Sequence, residues 1–203
     1  MHIADGILNT GVAITSFAVT GGITAYLLLK TKKDDIPRIS SITALLFVAS
    51  IFHIKLGPIA FHPLLTGAAA FILGPQVFIA ALVALFFQAL MFGHGGITAL
   101  GANTLSIGGG ALLVSIIYIF ISGMIKKRIP FYILSFIFGF ICIVISTMIT
   151  LLLLMSTGES FTQLIKAITI AQIPLAIVEG TITLFITIFF TRVKPELLHF
   201  AKY

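Results

Sequence analysis

The sequence predicts an all-α, polytopic membrane helical bundle, and three observations predict it. Of 203 residues, 59% are hydrophobic and 9% charged, with mean hydropathy +1.21 and no Trp, far above the apolar share of an ordinary water-exposed domain. The apolar stretches are long and continuous instead of alternating in ten-residue segments, so the spans are helices and not barrel strands. The charges collect in the short segments between them.

Breakers and charges divide the chain into apolar runs at about 8–29, 39–56, 63–73, 75–93, 101–125, 131–155 and 164–191. The separators are KTKKDDIPR, LGPIAFHP, LGP, GHGGITALG, KKRIP and STGESFTQ. This gives seven transmembrane helices, two of them short, in a single integral membrane domain covering 1–203. The pair 63–73 and 75–93 is the uncertain one, because a crossing normally takes ~20 residues. Charge asymmetry decides it. If the pair crosses twice with the N-terminus outside, then Lys30, Lys32, Lys33, Arg38, Lys126, Lys127, Arg128, Arg192, Lys194 and Lys202 all face the cytoplasm. A single crossing would place Lys126–Arg128 and the C-terminal tail on opposite sides. The expected arrangement is therefore N-terminus outside, C-terminus cytoplasmic, in the cell membrane. The same basic rim accounts for the net charge of +6 through anionic lipid, and the chain has no basic and aromatic interleaving of the kind that binds nucleic acid.

No Lys or Arg precedes Lys30, so the positive n-region of a secretory signal is missing and the first segment is expected to be retained. Met1 is expected to stay as well, because the next residue is bulky. A retained Met1 followed by His2 forms a chelator by covalent geometry alone. The α-amine of Met1 and the backbone nitrogen of His2 close a five-membered ring on a metal, and the Nδ1 of His2 closes a six-membered one. Three nearly coplanar nitrogens suit Ni²⁺ or Cu²⁺, with Co²⁺ next, and not Mg²⁺ or Ca²⁺. The amine titrates near ~8 and the imidazole near ~6.5, so such a site strengthens as pH rises. From position alone the plain reading is an N-terminal polar residue; the chelate needs support elsewhere in the chain.

The topology supplies it by placing the N-terminus and the loops of His62 and His94 on one side. His62 precedes Pro63 and follows the Gly57–Pro58 turn, so its backbone should be extended; it is the natural fourth nitrogen. Asn103, in the glycine-rich stretch GHGGITALGANTLS, would hydrogen-bond His2 or the chelate, or simply shape a turn. Asp5 would cap the first helix or offset the metal's charge. His53 is read as hydrogen-bonded within the bundle and His199 as a surface residue. Cys142, the single cysteine, excludes a disulfide framework and a Cys-based zinc site. Glu179 is the one carboxylate well inside a span; a functional position and a hydrogen bond to a neighbouring helix are equally readable, and it receives no role. Small residues at Ala18 with Gly22 and Gly21 with Ala25 permit close helix approach, within the bundle or toward a partner.

Taken together, MHIADGIL, GPIAFHPLLTGAAAFILGP, FFQALMFGHGGITALGANTLS and AQIPLAIVEG resemble the CbiM/NikM family, the substrate-binding S components of nickel and cobalt energy-coupling factor (ECF) transporters. The likeness runs the length of the chain. It implies capture of Ni²⁺ or Co²⁺ as substrate, with Met1, His2 and His62 as ligands and Asp5, His94 and Asn103 as supporting groups, and no cofactor. It also implies partners: a transmembrane coupling (T) protein, two cytoplasmic ABC ATPases and, in some systems, a small accessory membrane subunit. The chain has no GxxxxGK[ST] loop and so no ATP chemistry of its own. A stand-alone secondary transporter or channel would need ionisable groups lining a path, and a membrane metalloenzyme would need an open coordination position. Neither requirement is visible.

Overall fold

The computed structural model describes residues 2–51, 54–56, 59–61, 63–122, 128–158 and 162–198. Met1, His53, His62 and His199 lie outside them. The helices are α1 (Thr10–Lys30), α2 (Ile36–Ala49), α3 (Thr66–Leu73), α4 (Val77–Phe92), α5 (Leu100–Ser122), α6 (Arg128–Met155) and α7 (Thr162–Val193). Five stretches are long and apolar enough to cross a membrane: Thr10–Lys30, Thr66–Phe92, Leu100–Ile121, Phe131–Met155 and Ile168–Val193. The protein is thus a multi-pass helical membrane protein.

The expected seven crossings are not all of spanning length. α2 has 14 residues and α3 has 8, about 12 Å of helix, well short of a ~30 Å hydrocarbon core. The run read as continuous over 39–56 ends at Ala49, and a two-stranded antiparallel hairpin follows. Its strands β1 (Ile54–Leu56) and β2 (Ile59–Phe61) pair Ile54 with Phe61 and Leu56 with Ile59. Hydropathy does not distinguish Ile54–Leu56, apolar but for Lys55, from the end of a helix; the Gly57–Pro58 dipeptide does, because it cannot continue one.

α3 is buried along its whole length, packed among α5, α6 and α7. It is an internal plug. Phe71 sets its ring 4.8 Å from that of Tyr118, tilted by 48°, and also faces Phe131 and Phe138, the centre of the main core. Both α3 termini are held by side chains from other helices. Glu179 of α7 accepts hydrogen bonds from the backbone N–H groups of Leu65 and Gly67, and Arg38 of α2 donates to the carbonyls of Ile72 and Leu197. The hydrogen bond to a neighbouring helix, one of the two readings the sequence left open for Glu179, is thus present. Leu65, the one non-glycine with positive φ among the described residues, sits at φ 54°, a left-handed conformation that costs about 1–2 kcal/mol. The bond to Glu179 offsets that cost.

The long helices are joined by buried polar contacts, as membrane helices often are when no hydrophobic difference separates neighbour from lipid. Ser106 of α5 bonds the hydroxyl of Thr150 and the carbonyl of Ser146 on α6, and Thr20 of α1 donates to the carbonyl of Gly101. A Cβ at Gly101 would stand 2.7 Å from the backbone nitrogen of Phe17, so the missing side chain sets the α1–α5 spacing. Gly101 lies in the first turn of α5. Ala18, Gly21, Gly22 and Ala25 are all exposed, and a Cβ at either glycine would meet nothing within 4 Å. They do not pack the bundle.

The two ends differ in chemistry. One gathers the N-terminal segment, the loop 93–99 and the end of α6, where the Asn9 side chain reaches the carbonyls of Ser156 and Thr157 at 3.4 Å. α1 and α5 run from there to the other end, which carries Lys30, Lys32, Lys33, Arg38, Arg192 and Lys194. The Arg38 bond to Leu197 places residues 194–198 at that basic end.

Candidate metal centre

Residues 2–8 form no helix; the segment is fixed by what it touches. Ile3, 5% exposed, inserts its side chain among Ala99, Ala102, Leu154 and Ile168, a burial worth about 1.5–3 kcal/mol. Asn103, in the first turn of α5 and 3% exposed, holds the backbone of the same residue from both sides. Its Oδ1 accepts from the Ile3 N–H at 2.7 Å and its Nδ2 donates to the Ile3 carbonyl at 2.9 Å. This is a one-residue imitation of strand pairing. It satisfies two backbone groups that burial of Ile3 would otherwise leave without water. Sequence reasoning placed Asn103 against His2 or the chelate; its partner is the residue after His2, so it fixes His2 through the chain.

A second clamp lies three residues on. Asp5 accepts from the Thr98 N–H at 2.9 Å and from the Thr98 hydroxyl at 2.6 Å. It does not cap α1. That role belongs to Asn9, whose side chain accepts from the Val12 N–H at 2.9 Å. The Thr98 hydroxyl, helped by neighbouring backbone N–H groups against a desolvation cost, holds the Asp5 carboxyl below its ordinary value. Because the docked value is the lower one, the clamp's stabilisation is complete above the ordinary value of 3.8 and fades only as pH falls through the docked value. Asp5 is therefore charged across pH 5–8. Asp5→Ala is expected to weaken divalent-metal binding about three- to tenfold without moving the pH at which binding sets in; isothermal titrations between pH 5.5 and 8 check both parts.

The loop 93–99 is shaped to receive the segment. α4 ends in a glycine cap: the Gly93 N–H bonds the Ala89 carbonyl and the His94 N–H bonds the Gln88 carbonyl, both at 3.2 Å, with Gly93 at φ 64°. Gly95 and Gly96 follow at φ 83° and 87°. A Cβ at Gly95 would stand 2.5 Å from Asn103 Nδ2 and 3.2 Å from His2 Cβ, and one at Gly96 would stand 2.0 Å from the Asp5 carboxyl carbon. Only glycine gives both the conformation and the close approach.

This places the imidazoles. The rings of His2 and His94 stack with centroids 5.8 Å apart and planes 22° from parallel, and the Nδ1 atoms of both are buried. Phe92 lies 5.6 Å from His94 on one side and stacks on Phe47 of α2 at 5.2 Å on the other. His2, Asp5, His94 and Asn103 are thus brought together at one end of the bundle, while the expected ligands Met1 and His62 lie outside the described residues. Among the described residues, no three His, Cys, Asp or Glu side chains form a group able to hold a metal. Sequence reasoning missed Ile3 and Thr98. Ile3 had only the signal of an apolar residue placed directly after His2, whereas Thr98 had none.

Comparison with known proteins identifies the family. The model of the family described as "CbiM: Cobalt uptake substrate-specific transmembrane region" matches residues 2–197. A CbiM protein of Methanosarcina barkeri is 31% identical over 98% of this chain and 92% of its own length. The cobalt transport protein CbiM of Geobacter sulfurreducens is 30% identical over 98% of this chain and 61% of its own length. A relative of Methanocorpusculum labreanum, 29% identical over 97% of this chain, is a CbiMQ fusion of which the match spans 36%. The crystal structure of a transition metal transporter, 24% identical, superimposes with a TM-score of 0.77 over 95% of this chain and 93% of that one, which carries the fold. These relatives are transport proteins and not enzymes. The chain belongs to the CbiM family of cobalt uptake substrate-specific transmembrane regions.

Proposed function

We propose that this chain is the substrate-capture component of an ECF-type importer for Ni²⁺ or Co²⁺. The Met1 amine and the backbone and Nδ1 nitrogens of His2 supply three donors, and His62 supplies the fourth. Asn103 and Asp5 anchor the segment and His94 backs the His2 ring. The observation that carries this reading is the double hydrogen bond between Asn103 and the Ile3 backbone. A protein has little reason to build a buried receptor for its third residue unless the two before it must be held in place.

Direction follows from charge. The site end lacks the basic cluster of the opposite end, and the positive-inside rule makes the basic end cytoplasmic. That supports a seven-span arrangement with the N-terminus outside, in which α2 and the α3–α4 pair cross with help from the hairpin and the buried plug. Import then needs work from elsewhere: a transmembrane coupling protein, two cytoplasmic ATPases and, where present, an accessory subunit. The CbiMQ fusion is in keeping with such a partner. The exposed small residues of α1 leave an outward face open to partner or lipid.

Acetylating the Met1 amine tests the proposal. It leaves His2 and His62 in place but removes the amine as a donor and with it the five-membered chelate ring. Ni²⁺ affinity of the purified chain is expected to fall by more than about 100-fold, beyond the ~10–100-fold typical of losing a supporting contact. Unchanged affinity would sink the chelate.

A further inference from the structure

We infer that Phe92, the last residue of α4, is a positioning residue for the metal centre: backed by Phe47 of α2, it fixes the ring of His94 and, through it, the imidazole of His2. The inference rests on the reading of His2 as a ligand.

Three ring contacts run in series from α2 to the site. Phe47 and Phe92 stack with centroids 5.2 Å apart and planes 15° from parallel. Phe92 meets His94 at 5.6 Å with the rings tilted by 48°, and His94 stacks on His2 at 5.8 Å and 22°. All three separations fall in the range of about 4.5–7 Å over which aromatic rings attract one another beyond the area they bury.

His94 has a particular need of such a neighbour. Gly93 precedes it and Gly95 and Gly96 follow, so the residues beside it in the chain carry no side chain against which its ring can rest. Phe92, by contrast, ends a 16-residue helix that is tied to α2 at the same height. Gln88, 4% exposed, donates from Nε2 to the Leu46 carbonyl at 3.4 Å, and its own carbonyl accepts the His94 N–H at 3.2 Å. The junction of α2 with α4 therefore holds the backbone of His94 as well as the ring next to it.

A chelate makes the ring plane matter. His2 offers Nδ1 in the plane of the amine and its own backbone nitrogen only when the imidazole lies in that plane, and a ring stacked on its face limits rotation out of it. Phe92 is also 40% exposed, so part of its surface covers the outside of the bundle, a duty that any apolar side chain performs. Only a flat ring performs the other. Leucine and tyrosine at this position therefore separate the two roles.

Titration of the full chain in detergent with Ni²⁺ tests this, with the visible circular-dichroism band of the bound metal as a second readout. Phe92→Leu keeps an apolar side chain and removes the ring. It is expected to lower Ni²⁺ affinity about tenfold and to shift the band, whereas Phe92→Tyr stays within about twofold of the parent chain with its band in place. Phe86→Leu is the control, the same exchange on the same helix at a residue 39% exposed whose ring meets Phe87; whatever melting temperature it costs, affinity and band should stay as they were. Phe47→Leu removes the backing ring, should act in the direction of Phe92→Leu at about threefold, and serves where that variant does not fold. Adding Phe92→Leu to His94→Ala should weaken binding no more than about twofold further, because the route runs through that ring. Equal affinities for the leucine and tyrosine variants, or additive losses with His94→Ala, overturn the positioning role while leaving His2 a ligand. An unchanged affinity in His2→Ala overturns the ligand reading itself and this inference with it.

Discussion

Exchange of Asn103 for alanine is expected to lower the affinity for Ni²⁺ or Co²⁺ by about 30- to 100-fold while leaving the bundle folded. The estimate comes from what the amide does. Each of its two bonds to the Ile3 backbone contributes about 0.5–1.5 kcal/mol net, and leaving the buried N–H and carbonyl of Ile3 unpaired would cost about 1–3 kcal/mol apiece. The segment escapes the second penalty by lifting away into water, so the loss is capped near 2–3 kcal/mol, the energy of docking. That loss falls on metal binding, because a chelate on a mobile terminus must first be ordered. It does not fall on the bundle, since Asn103 makes its backbone bond to the Ala99 carbonyl regardless of side chain. Titration of metal and thermal melting of the metal-free protein separate the two. A melting point that drops as far as the affinity does would make Asn103 a general structural residue and remove it from the site.

How much of this was legible in the sequence depends on the length scale of each interaction. Helix boundaries followed from hydropathy within a few residues: α1 was expected at 8–29 and runs Thr10–Lys30, and α6 was expected at 131–155 and runs Arg128–Met155. The hairpin was missed because its strands are apolar but for Lys55, and hydropathy measures burial without reporting conformation. At the site, the glycines and Asn103 were visible as a cluster of unusual residue types. Their purpose was not, since the partner of Asn103 is a backbone 100 positions away and backbone leaves no trace in sequence. The same holds for Asp5 and Thr98, separated by 93 positions, where a cap of the nearby helix was the local alternative. Glu179 stood out as a lone buried acid, yet its partners are again main-chain groups, those of Leu65 and Gly67.

Gly95→Ala should reproduce the Asn103 defect from the other side of the clamp, and its neighbours show why position decides the outcome. Gly93, Gly95 and Gly96 all have positive φ, so alanine at any of them carries a backbone penalty of about 1 kcal/mol. At Gly93 that is the whole cost, because nothing lies within 4 Å of the new methyl. At Gly96 the methyl meets the Asp5 carboxylate, but Asp5 is exposed and can swing into solvent, giving up only its bonds to Thr98. At Gly95 the methyl meets Asn103 Nδ2 and His2 Cβ, and neither can yield. Asn103 is buried and bonded on both sides, and His2 is fixed by Ile3 and stacked on His94. The segment must therefore undock. The expected order of lost metal affinity is Gly95→Ala at about 100-fold, Gly96→Ala at about tenfold or less, and Gly93→Ala near none, with similar small losses of melting temperature in all three. Three alanine variants titrated side by side decide it. Equal affinity losses would mean that the loop matters only through backbone strain, and that the close approach of the N-terminal segment plays no part in holding the metal.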